Sequence, residues 1–191
     1  MCHKKLEQTQ GRRTMRKSLV LLALIPILAV FNYGIFEKET LLRDGELILV
    51  ALAPADPRSL MQGDYMRLRY QAAIDAAERL KQDKKQIGKS WQAPETAYLV
   101  LALDDKSIAQ FVRFDTGRDK LAANERRISF RYRERWGSPD IQIYPDSFFF
   151  QEGHGSAFQS AKFGLMRLHR NGDHLLSGLA DETGKQIKSR R

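Results

Sequence analysis

The segment GELILVALAP, residues 45–54, decides the fold of this chain. Both of its alternating faces are apolar, with Leu47, Leu49 and Ala51 on one and Ile48, Val50 and Leu52 on the other. A strand with one solvated face would alternate between apolar and polar residues, so this pattern is typical of a central strand covered on both sides. Pro54 ends the run, because proline cannot donate a hydrogen bond to a sheet. We expect the folded domain to be built around this strand.

The segment DYMRLRY, residues 64–70, alternates strictly and is entered through a turn at Gly63 and Asp64. Its inward side consists of Met66, Leu68 and Tyr70, and its outward side of Tyr65, Arg67 and Arg69. This pattern predicts a half-buried strand. The period then lengthens over Gln71–Ile87, where small and apolar residues share one helical stripe, so we expect a surface helix there.

Short strands account for most of the remaining sequence. Residues 96–105 and 107–115 are close enough to pair as a hairpin. The segment RRISFRYRERW, residues 126–136, predicts one alternating strand with inward Ile128, Phe130 and Tyr132 and outward Arg127, Arg131, Arg133 and Arg135. We expect an α+β fold, mainly antiparallel β, with one N-terminal transmembrane helix and one or two short surface helices.

A further hairpin is predicted near the end of the chain. Asn171 and Gly172 stand between two apolar runs, which is the strongest short hairpin signal. A two-residue loop at this point would place His169 directly opposite His174. Two imidazoles and the nearby Asp173 fall short of a zinc site, which needs three or four converging ligands, so no metal is predicted.

Residues 18–36, SLVLLALIPILAVFNYGIF, include no charged residue. As a helix this run would be ~28 Å long, close to the ~30 Å hydrocarbon core of a bilayer. Pro26 is compatible with this interpretation, because membrane helices tolerate proline. We therefore predict a basic cytoplasmic tail over residues 1–17, a transmembrane anchor over 18–36 and an extracytoplasmic β-rich domain over 37–191.

Charges beside the predicted span indicate its orientation. Six basic residues and one acidic residue precede it, giving +5 of the total net charge of +9. Lys and Arg hold their flank of a span in the cytoplasm, so the domain should lie outside. A cleaved secretory signal is the alternative, but its cleavage site would put Ile27 at the minus-three position, where a small residue is needed. The single cysteine, Cys2, lies in the tail, so the domain must depend on its core rather than on disulfides.

A distinctive block of residues includes the half-buried strand and the segment before it. ADPRSLMQGDYMRLRY, residues 55–70, resembles the signature of the GDYXXLXY proteins, whose octapeptide is complete here as Gly63, Asp64, Tyr65, Leu68 and Tyr70. The preceding DPR of the family matches Asp56, Pro57 and Arg58, and an aromatic run followed by an E-G-x-G turn matches residues 148–150, Glu152, Gly153 and Gly155. The Ala-rich helix after Tyr70 departs from the family pattern and looks like an insertion.

The resemblance implies a location and a partner. GDYXXLXY proteins are membrane-anchored bacterial proteins of unknown function, often encoded beside a multipass membrane protein. This implies the bacterial inner membrane, a cytoplasmic N-terminus and a periplasmic domain, with the lipid bilayer and a multipass membrane protein as partners. We expect a non-enzymatic accessory or binding subunit without a cofactor, and take Asp56, Arg58, Asp64 and Tyr65 as candidate binding residues.

Two other functions stay open. The block PRSLMQGDYMRL is similar to one in type I signal peptidases, where a serine nucleophile precedes the proline by two residues, but that position is Ala55 here. No catalytic residue is therefore assigned, and Asp56, Asp64 and Glu152 are interpreted as turn residues. The second alternative is a stand-alone lipid- or ligand-binding β domain. Its arginine row suits anionic lipid better than nucleic acid, which is not predicted as a partner outside the cytoplasm.

Overall fold

The computed structural model describes residues 3–53, 65–87 and 98–188, with side chains described from Leu22 onward in the first helix and up to Asp83 in the second. The chain divides into two compact units, Met1–Thr40 and Leu41–Arg191, which are described separately below. The first unit is helical. The second contains every described strand and the hydrophobic core.

The described part of the chain contains two α-helices, a 3-10 turn and ten strands. They are α1 (His3–Asp44), β1 (Glu46–Ala51), β2 (Tyr65–Arg67), α2 (Gln71–Ile87), β3 (Tyr98–Leu103), β4 (Ile108–Asp115), β5 (Glu125–Ser129), β6 (Arg131–Arg135), β7 (Ser138–Gln142), β8 (Ser147–Phe149), the 3-10 turn (Gly155–Phe158), β9 (Phe163–Leu168) and β10 (His174–Ala180). The fold is therefore α+β, as predicted.

Six of the strands form one sheet with the order β10-β9-β1-β4-β3-β5. β1 runs parallel to β4, while the pairs β1–β9, β9–β10, β3–β4 and β3–β5 are antiparallel. Two smaller sheets, β2–β8 and β6–β7, are also antiparallel. The prediction of a mainly antiparallel domain is confirmed, and the hairpin of β3 and β4 forms as expected.

The central strand β1 is covered completely on one face only. Ile48 and Val50 are fully buried beneath α2, whereas Leu47 on the opposite face is 41% exposed and Leu49 and Ala51 are half-buried. The prediction of two covered faces is thus wrong for the start of the strand. Apolar residues on a half-open face give the same sequence pattern as residues on a closed one, so periodicity alone does not separate the two cases.

One face of helix α2 contributes to the core, and the opposite face is exposed at Asp75, Glu78, Arg79 and Lys81. It packs against β1 and β4 of the large sheet and against β7. Ala72, Ala73 and Ala76 are buried together with Leu80, and small alanine side chains let the helix backbone approach the sheet closely. The surface helix thus forms where the sequence predicts it, over Gln71–Ile87.

The arginine-rich segment forms two strands instead of one. β5 ends at Ser129 in the large sheet, and β6 begins at Arg131 and pairs with β7. Phe130 lies between them and packs half-buried against the core. Strict alternation continues across the break, which is why the sequence pattern does not reveal the change of sheet.

The β9–β10 hairpin is confirmed, but its loop is longer than predicted. The N–H of His169 donates to the carbonyl of Asp173 at 2.8 Å, and the N–H of Gly172 donates to the carbonyl of His169 at 3.0 Å. Arg170, Asn171 and Gly172 therefore form a three-residue loop, with Gly172 at φ 93° in the left-handed conformation that such loops require. His174 consequently opposes Leu168, and the expected His169–His174 pair does not form.

The chain returns along the edge of the large sheet after β10. Asp181 accepts hydrogen bonds from the N–H groups of Thr183 and Lys185 and so forms a tight turn. Ala180 then pairs with Gln186, and the N–H of Ile187 donates to the carbonyl of Leu179 at 2.8 Å. The outer edge of β10 is thus partly filled by the same chain.

The helix α1 is 42 residues long and contains Pro26. In the part of the chain that the structure describes, no helix is both long and apolar enough to cross a membrane.

Gly164 on β9 provides a test of the core packing. A Cβ added there would lie 3.1 Å from Cε1 of Tyr70 and 3.3 Å from Cδ1 of Leu176. We expect Gly164→Ala to lower the free energy of unfolding by about 1–3 kcal/mol, the usual cost of overpacking a core, in chemical denaturation of the full chain in mild detergent. Gly34→Ala is the control, since no atom lies within 4 Å of its added Cβ. Equal stability of Gly164→Ala and the parent would contradict this packing.

Candidate functional site

The motif strand β2 is held against the second family motif. β2 pairs with β8 so that Tyr65 opposes Phe149 and Arg67 opposes Ser147. The rings of Tyr65 and Phe149 are 5.7 Å apart, while Met66 is buried on the other side of β2. Two segments some eighty residues apart in sequence therefore form one small sheet, which the sequence alone did not predict.

Tyr70 fixes the end of the motif between the two sheets. Its backbone pairs with Leu52 just beyond β1, and its hydroxyl donates to the carbonyl of Pro145 at 2.7 Å. The ring lies over Gly164, where the absence of a side chain leaves room for it. Burial, with a smaller contribution from the nearby charge of Asp146, raises the pKa of the Tyr70 phenol far above its ordinary value. Tyr70 is therefore a neutral hydrogen-bond donor whose phenol remains protonated while the domain is folded.

The outward side of the motif forms one wall of a groove, called the motif groove below. The groove encloses about 670 Å³, and the segment of residues 67–70, α2 and the β7 segment form its walls. The described lining residues are Arg67, Leu68, Arg69, Tyr70, Ala73, Ile74, Ala77, Glu78, Lys81, Arg135, Pro139, Asp140, Ile141, Gln142, Ile143 and Asp146. A volume of this size is within the range of small-molecule and peptide sites.

One backbone hydrogen bond connects the two walls of the motif groove. The N–H of Leu68 donates to the carbonyl of Asp146 at 2.7 Å, and this bond joins the motif strand to the chain that leaves β7. Beyond it the strand continues toward α2 while β7 runs along the opposite wall. The shape of the groove therefore depends on the same contacts that fix Tyr70.

Basic side chains outnumber acidic ones around the motif groove. Arg67, Arg69 and Lys81 are exposed, as is Arg135 on the opposite wall. Glu78, Asp140 and Asp146 carry the opposite charge, and Asp140 accepts a hydrogen bond from Gln142 at 3.0 Å. The floor is apolar, with Leu68 and Ile143 buried. An amphipathic segment with apolar side chains and carboxylates would be complementary to this arrangement.

A second polar cluster, formed by Asp115 and Arg127, stabilises the loop that follows β4. The carboxylate of Asp115 is buried and accepts a hydrogen bond from Nε of Arg127 at 2.7 Å. The N–H groups of Gly117 and Asp119 donate to its other oxygen at 2.9 and 3.3 Å. Burial by itself would raise the pKa of Asp115, but the hydrogen bond from Arg127 and the two backbone bonds outweigh it and hold the pKa below its ordinary value.

The alternating sequence suggested that Arg127 belongs to a solvated row of arginines. The structure shows instead that Arg127 pairs with the buried Asp115. Its guanidinium lies 5.4 Å from the ring centre of Tyr98 and also donates to the carbonyl of Asp119 at 3.1 Å. These contacts shape the loop after β4. Asp115 and Arg127 form a structural ion pair, and the hydrogen bonds of both side chains are made within the domain.

Of the four candidate binding residues, Tyr65 alone lies within the described part of the chain. Asp56, Arg58 and Asp64 lie outside the described residues, as do Pro57 and Gly63. Tyr65 is half-buried against Phe149 and is not among the described residues that line the motif groove. Leu68 and Tyr70 are buried, as the alternation of the motif predicts.

The second motif forms a turn, as expected from its glycines. The N–H of His154 donates to the carbonyl of Gln151 at 3.1 Å, and Gly153 has φ 80°, which favours glycine. Glu152 is exposed in this turn. Among the described residues, no group of three His, Cys, Asp or Glu side chains is placed to hold a metal ion.

Sequence reasoning missed the motif groove. The strict alternation of residues 64–70 puts Arg67 and Arg69 on the face away from the core, and this signal could have identified one wall. The other wall comes from Arg135 and Asp140, about seventy residues further along the chain. No local pattern predicts that β7 pairs with β6 outside the large sheet and faces the motif.

The fold and site define a class: an α+β domain preceded by a long helix, in which a tyrosine-ended motif strand joins two sheets beside a basic-rimmed groove. Comparison with known protein families matches residues 27–179 to the family described as GDYXXLXY protein. The chain belongs to the GDYXXLXY family. Comparisons with curated proteins and with solved structures give no match.

The Tyr70 hydroxyl can be tested by removal of one atom. Tyr70→Phe keeps the ring over Gly164 but leaves the Pro145 carbonyl without this donor, so we expect a loss of about 1–3 kcal/mol in the free energy of unfolding. The measurement is chemical denaturation of the full chain in mild detergent at neutral pH. A control is Tyr33→Phe in α1, whose side chain is exposed.

We also expect the parent and Tyr70→Phe to differ in how their free energies of unfolding change at alkaline pH. The folded pKa of Tyr70 is above its unfolded value of about 10, so the stability that depends on its proton is fully present below pH 10 and is lost as the pH rises further. The slope attributable to one such group reaches about 1.4 kcal/mol per pH unit. Stability curves of the parent and of Tyr70→Phe that stay parallel above pH 10 would contradict this assignment.

Proposed function

We propose that this protein is a single-pass protein of the bacterial inner membrane whose periplasmic domain acts as an accessory or binding subunit of a multipass membrane protein. In this proposal α1 supplies the anchor, with the N-terminus in the cytoplasm. The motif groove supplies the binding site. The observation that carries the proposal is the exposure of apolar side chains around α1.

Apolar side chains are exposed on every side of α1. At 100° per residue, their positions cover the whole circumference of the helix rather than one stripe. The exposed residues are Leu22, Leu24, Ile25, Ile27, Leu28, Val30, Phe31, Tyr33, Ile35 and Phe36. A helix that is apolar all round is stable when lipid or other apolar helices surround it. Together with the charge-free sequence of residues 18–36, this exposure supports an anchor.

The amide side chain of Asn32, in the same stretch of α1, has a partner within the helix. The side chain of Asn32 donates to the carbonyl of Leu28 at 2.8 Å, four residues earlier. Such a bond lowers the cost of placing an amide in lipid, where an unbonded polar group is expensive. The six basic residues before residue 18 favour the cytoplasm for the N-terminus.

The motif groove supports a binding role through its shape and charge. Its apolar floor can take side chains of an extended or helical segment, and Arg67 and Arg69 can pair with carboxylates at the rim. A periplasmic loop of a multipass protein with acidic and apolar residues fits this chemistry. The family's frequent genetic neighbour is the candidate source of that loop.

A phosphatase fusion tests the anchor and its orientation. We expect alkaline phosphatase fused to the C-terminus to be active, because that enzyme folds productively only outside the cytoplasm, and we expect an alkaline carbonate wash to leave the full chain in the membrane fraction. A variant with Leu24, Leu28 and Phe31 changed to Asp should be extracted by the same wash. Extraction of a stably expressed parent would refute the anchor, and an inactive fusion would refute the orientation.

Charge reversal in the motif groove tests the binding role. We expect the parent to co-purify in mild detergent with a multipass membrane protein encoded nearby, and the double variant Arg67→Glu with Arg69→Glu to lose about tenfold or more of that recovery, since charge-assisted pairs would become repulsive. The matched control is Arg118→Glu with Arg170→Glu, which changes two exposed loop arginines outside the groove. Equal recovery by both double variants would refute a role for the groove, and recovery of no multipass protein by the parent would refute the accessory-subunit proposal.

A further inference from the structure

The β6–β7 hairpin presents a tryptophan at its tip. Arg135 pairs with Ser138, so Trp136 and Gly137 alone form the loop between the strands. Trp136 has φ 55° and Gly137 has φ 73°, as in the two-residue turns whose right-handed twist matches that of the strands. Trp136 is 93% exposed.

Trp136 is an unusual residue for this position. Turns with two positive φ values favour Asn, Asp and Gly, and a bulky residue with positive φ is an outlier. The indole is almost fully exposed, so packing within the domain does not explain its presence. A residue held in a backbone conformation that is unfavourable for it, and not required by the core, is a candidate for a contact outside the domain.

Arginines follow the tryptophan along one face of the hairpin. Arg131, Arg133 and Arg135 alternate on β6 and are all exposed. The register places Asp140 opposite Arg133 on the same face, and the exposed Glu134 lies on the other face. The arginine face therefore carries three positive charges and one negative charge. Such a surface is complementary to an anionic one.

We propose that the β6–β7 hairpin docks the domain on the anionic lipid bilayer that holds the anchor, with Trp136 in the headgroup layer and the arginine face against lipid phosphates. Tryptophan is enriched at membrane–water interfaces because its ring is apolar and its N–H is polar. Basic residues near an anionic bilayer are attracted to it within a Debye length. The combination of one exposed indole and a row of arginines favours lipid over a protein surface, which would offer carboxylates at fixed positions.

The short segment between the proposed anchor and the domain supports the bilayer as the surface that the hairpin contacts. The inference rests on the proposed membrane anchor, and only residues 37–40 separate the end of the charge-free segment from Leu41, the first core residue of the domain. Four residues reach at most about 14 Å even when fully extended. An anchored domain is thus kept beside the bilayer, where a weak docking contact is formed at high effective concentration.

Fluorescence of Trp136 in lipid vesicles tests the proposal. The full chain with Trp91→Phe contains Trp136 as its single tryptophan. It is reconstituted into phosphatidylcholine vesicles with and without phosphatidylglycerol, each containing a trace of lipid with a nitroxide near the headgroup. We expect nitroxide quenching of Trp136, a shift of its emission to shorter wavelength, and protection from iodide in the anionic vesicles at low salt. If Trp91→Phe does not fold, the difference between the parent and Trp136→Asn isolates the same signal.

Two variants separate docking from folding. Changing Arg131 and Arg133, which are not among the described lining residues of the motif groove, to Gln should shift the ratio of docked to undocked domains by about thirtyfold at low ionic strength, as expected for two basic residues at a surface. The matched control changes the exposed Arg118 and Arg170 to Gln and keeps the net charge of the first variant. Trp136→Asn should abolish docking while keeping or raising the thermal midpoint, because Asn accepts the positive φ more readily.

The outcomes distinguish this inference from the anchor on which it rests. A chain that survives the alkaline wash but whose Trp136 is quenched by iodide in anionic vesicles as in detergent overturns the docking proposal alone. A chain extracted by the wash overturns the anchor and, with it, the docking. Protection of Trp136 only after the multipass protein is added to the vesicles would identify a protein contact and would also overturn lipid docking.

Discussion

The hydrogen bond from the Tyr70 hydroxyl to the Pro145 carbonyl links parts of this domain that are far apart in the sequence. The backbone of Tyr70 pairs with the strand end at Leu52, its ring lies on Gly164 of β9, and its hydroxyl reaches the segment that leads into β8. One side chain thereby joins the large sheet, the small motif sheet and the start of α2. In this chain Tyr70 uses both its ring and its hydroxyl, and a phenylalanine at this position would keep only the ring contact.

The inward side chains of the motif thus stabilise the fold, and its outward side chains form part of the protein surface. Met66, Leu68 and Tyr70 are buried, whereas Arg67 and Arg69 extend from the same short segment into the motif groove. Alternation in a strand makes this division automatic, since successive side chains point to opposite faces. A family signature can therefore fix the fold with every second residue while leaving the residues between them available to contact a partner.

Local patterns predicted the elements of this fold better than their neighbours in space. The apolar run of β1 and the helical stripe of α2 form where side-chain periodicity predicts them. The alternation of residues 64–70 gives a strand over Tyr65–Arg67 only, with Leu68 and Tyr70 buried beyond it. The break at Phe130 and the three-residue loop before His174 were missed, because they depend on which sheet a strand joins and on one extra residue in a turn. The facing walls of the motif groove were missed for the same reason. Arg127 shows the limit most clearly: an outward position in an alternating pattern looks solvated, yet the buried Asp115 on a different strand is its partner.

The returning segment after β10 has a consequence for how the protein behaves at high concentration. The hydrogen bond from the Ile187 N–H to the Leu179 carbonyl, with the pairing of Ala180 and Gln186, occupies backbone groups that an edge strand would otherwise offer to another molecule. A copy of the same chain cannot add a strand at these positions without displacing that segment. The segment after Asp181 thus covers part of this sheet edge and opposes edge-to-edge aggregation, so a fusion partner or purification tag is best joined beyond Ile187, where these pairings are kept.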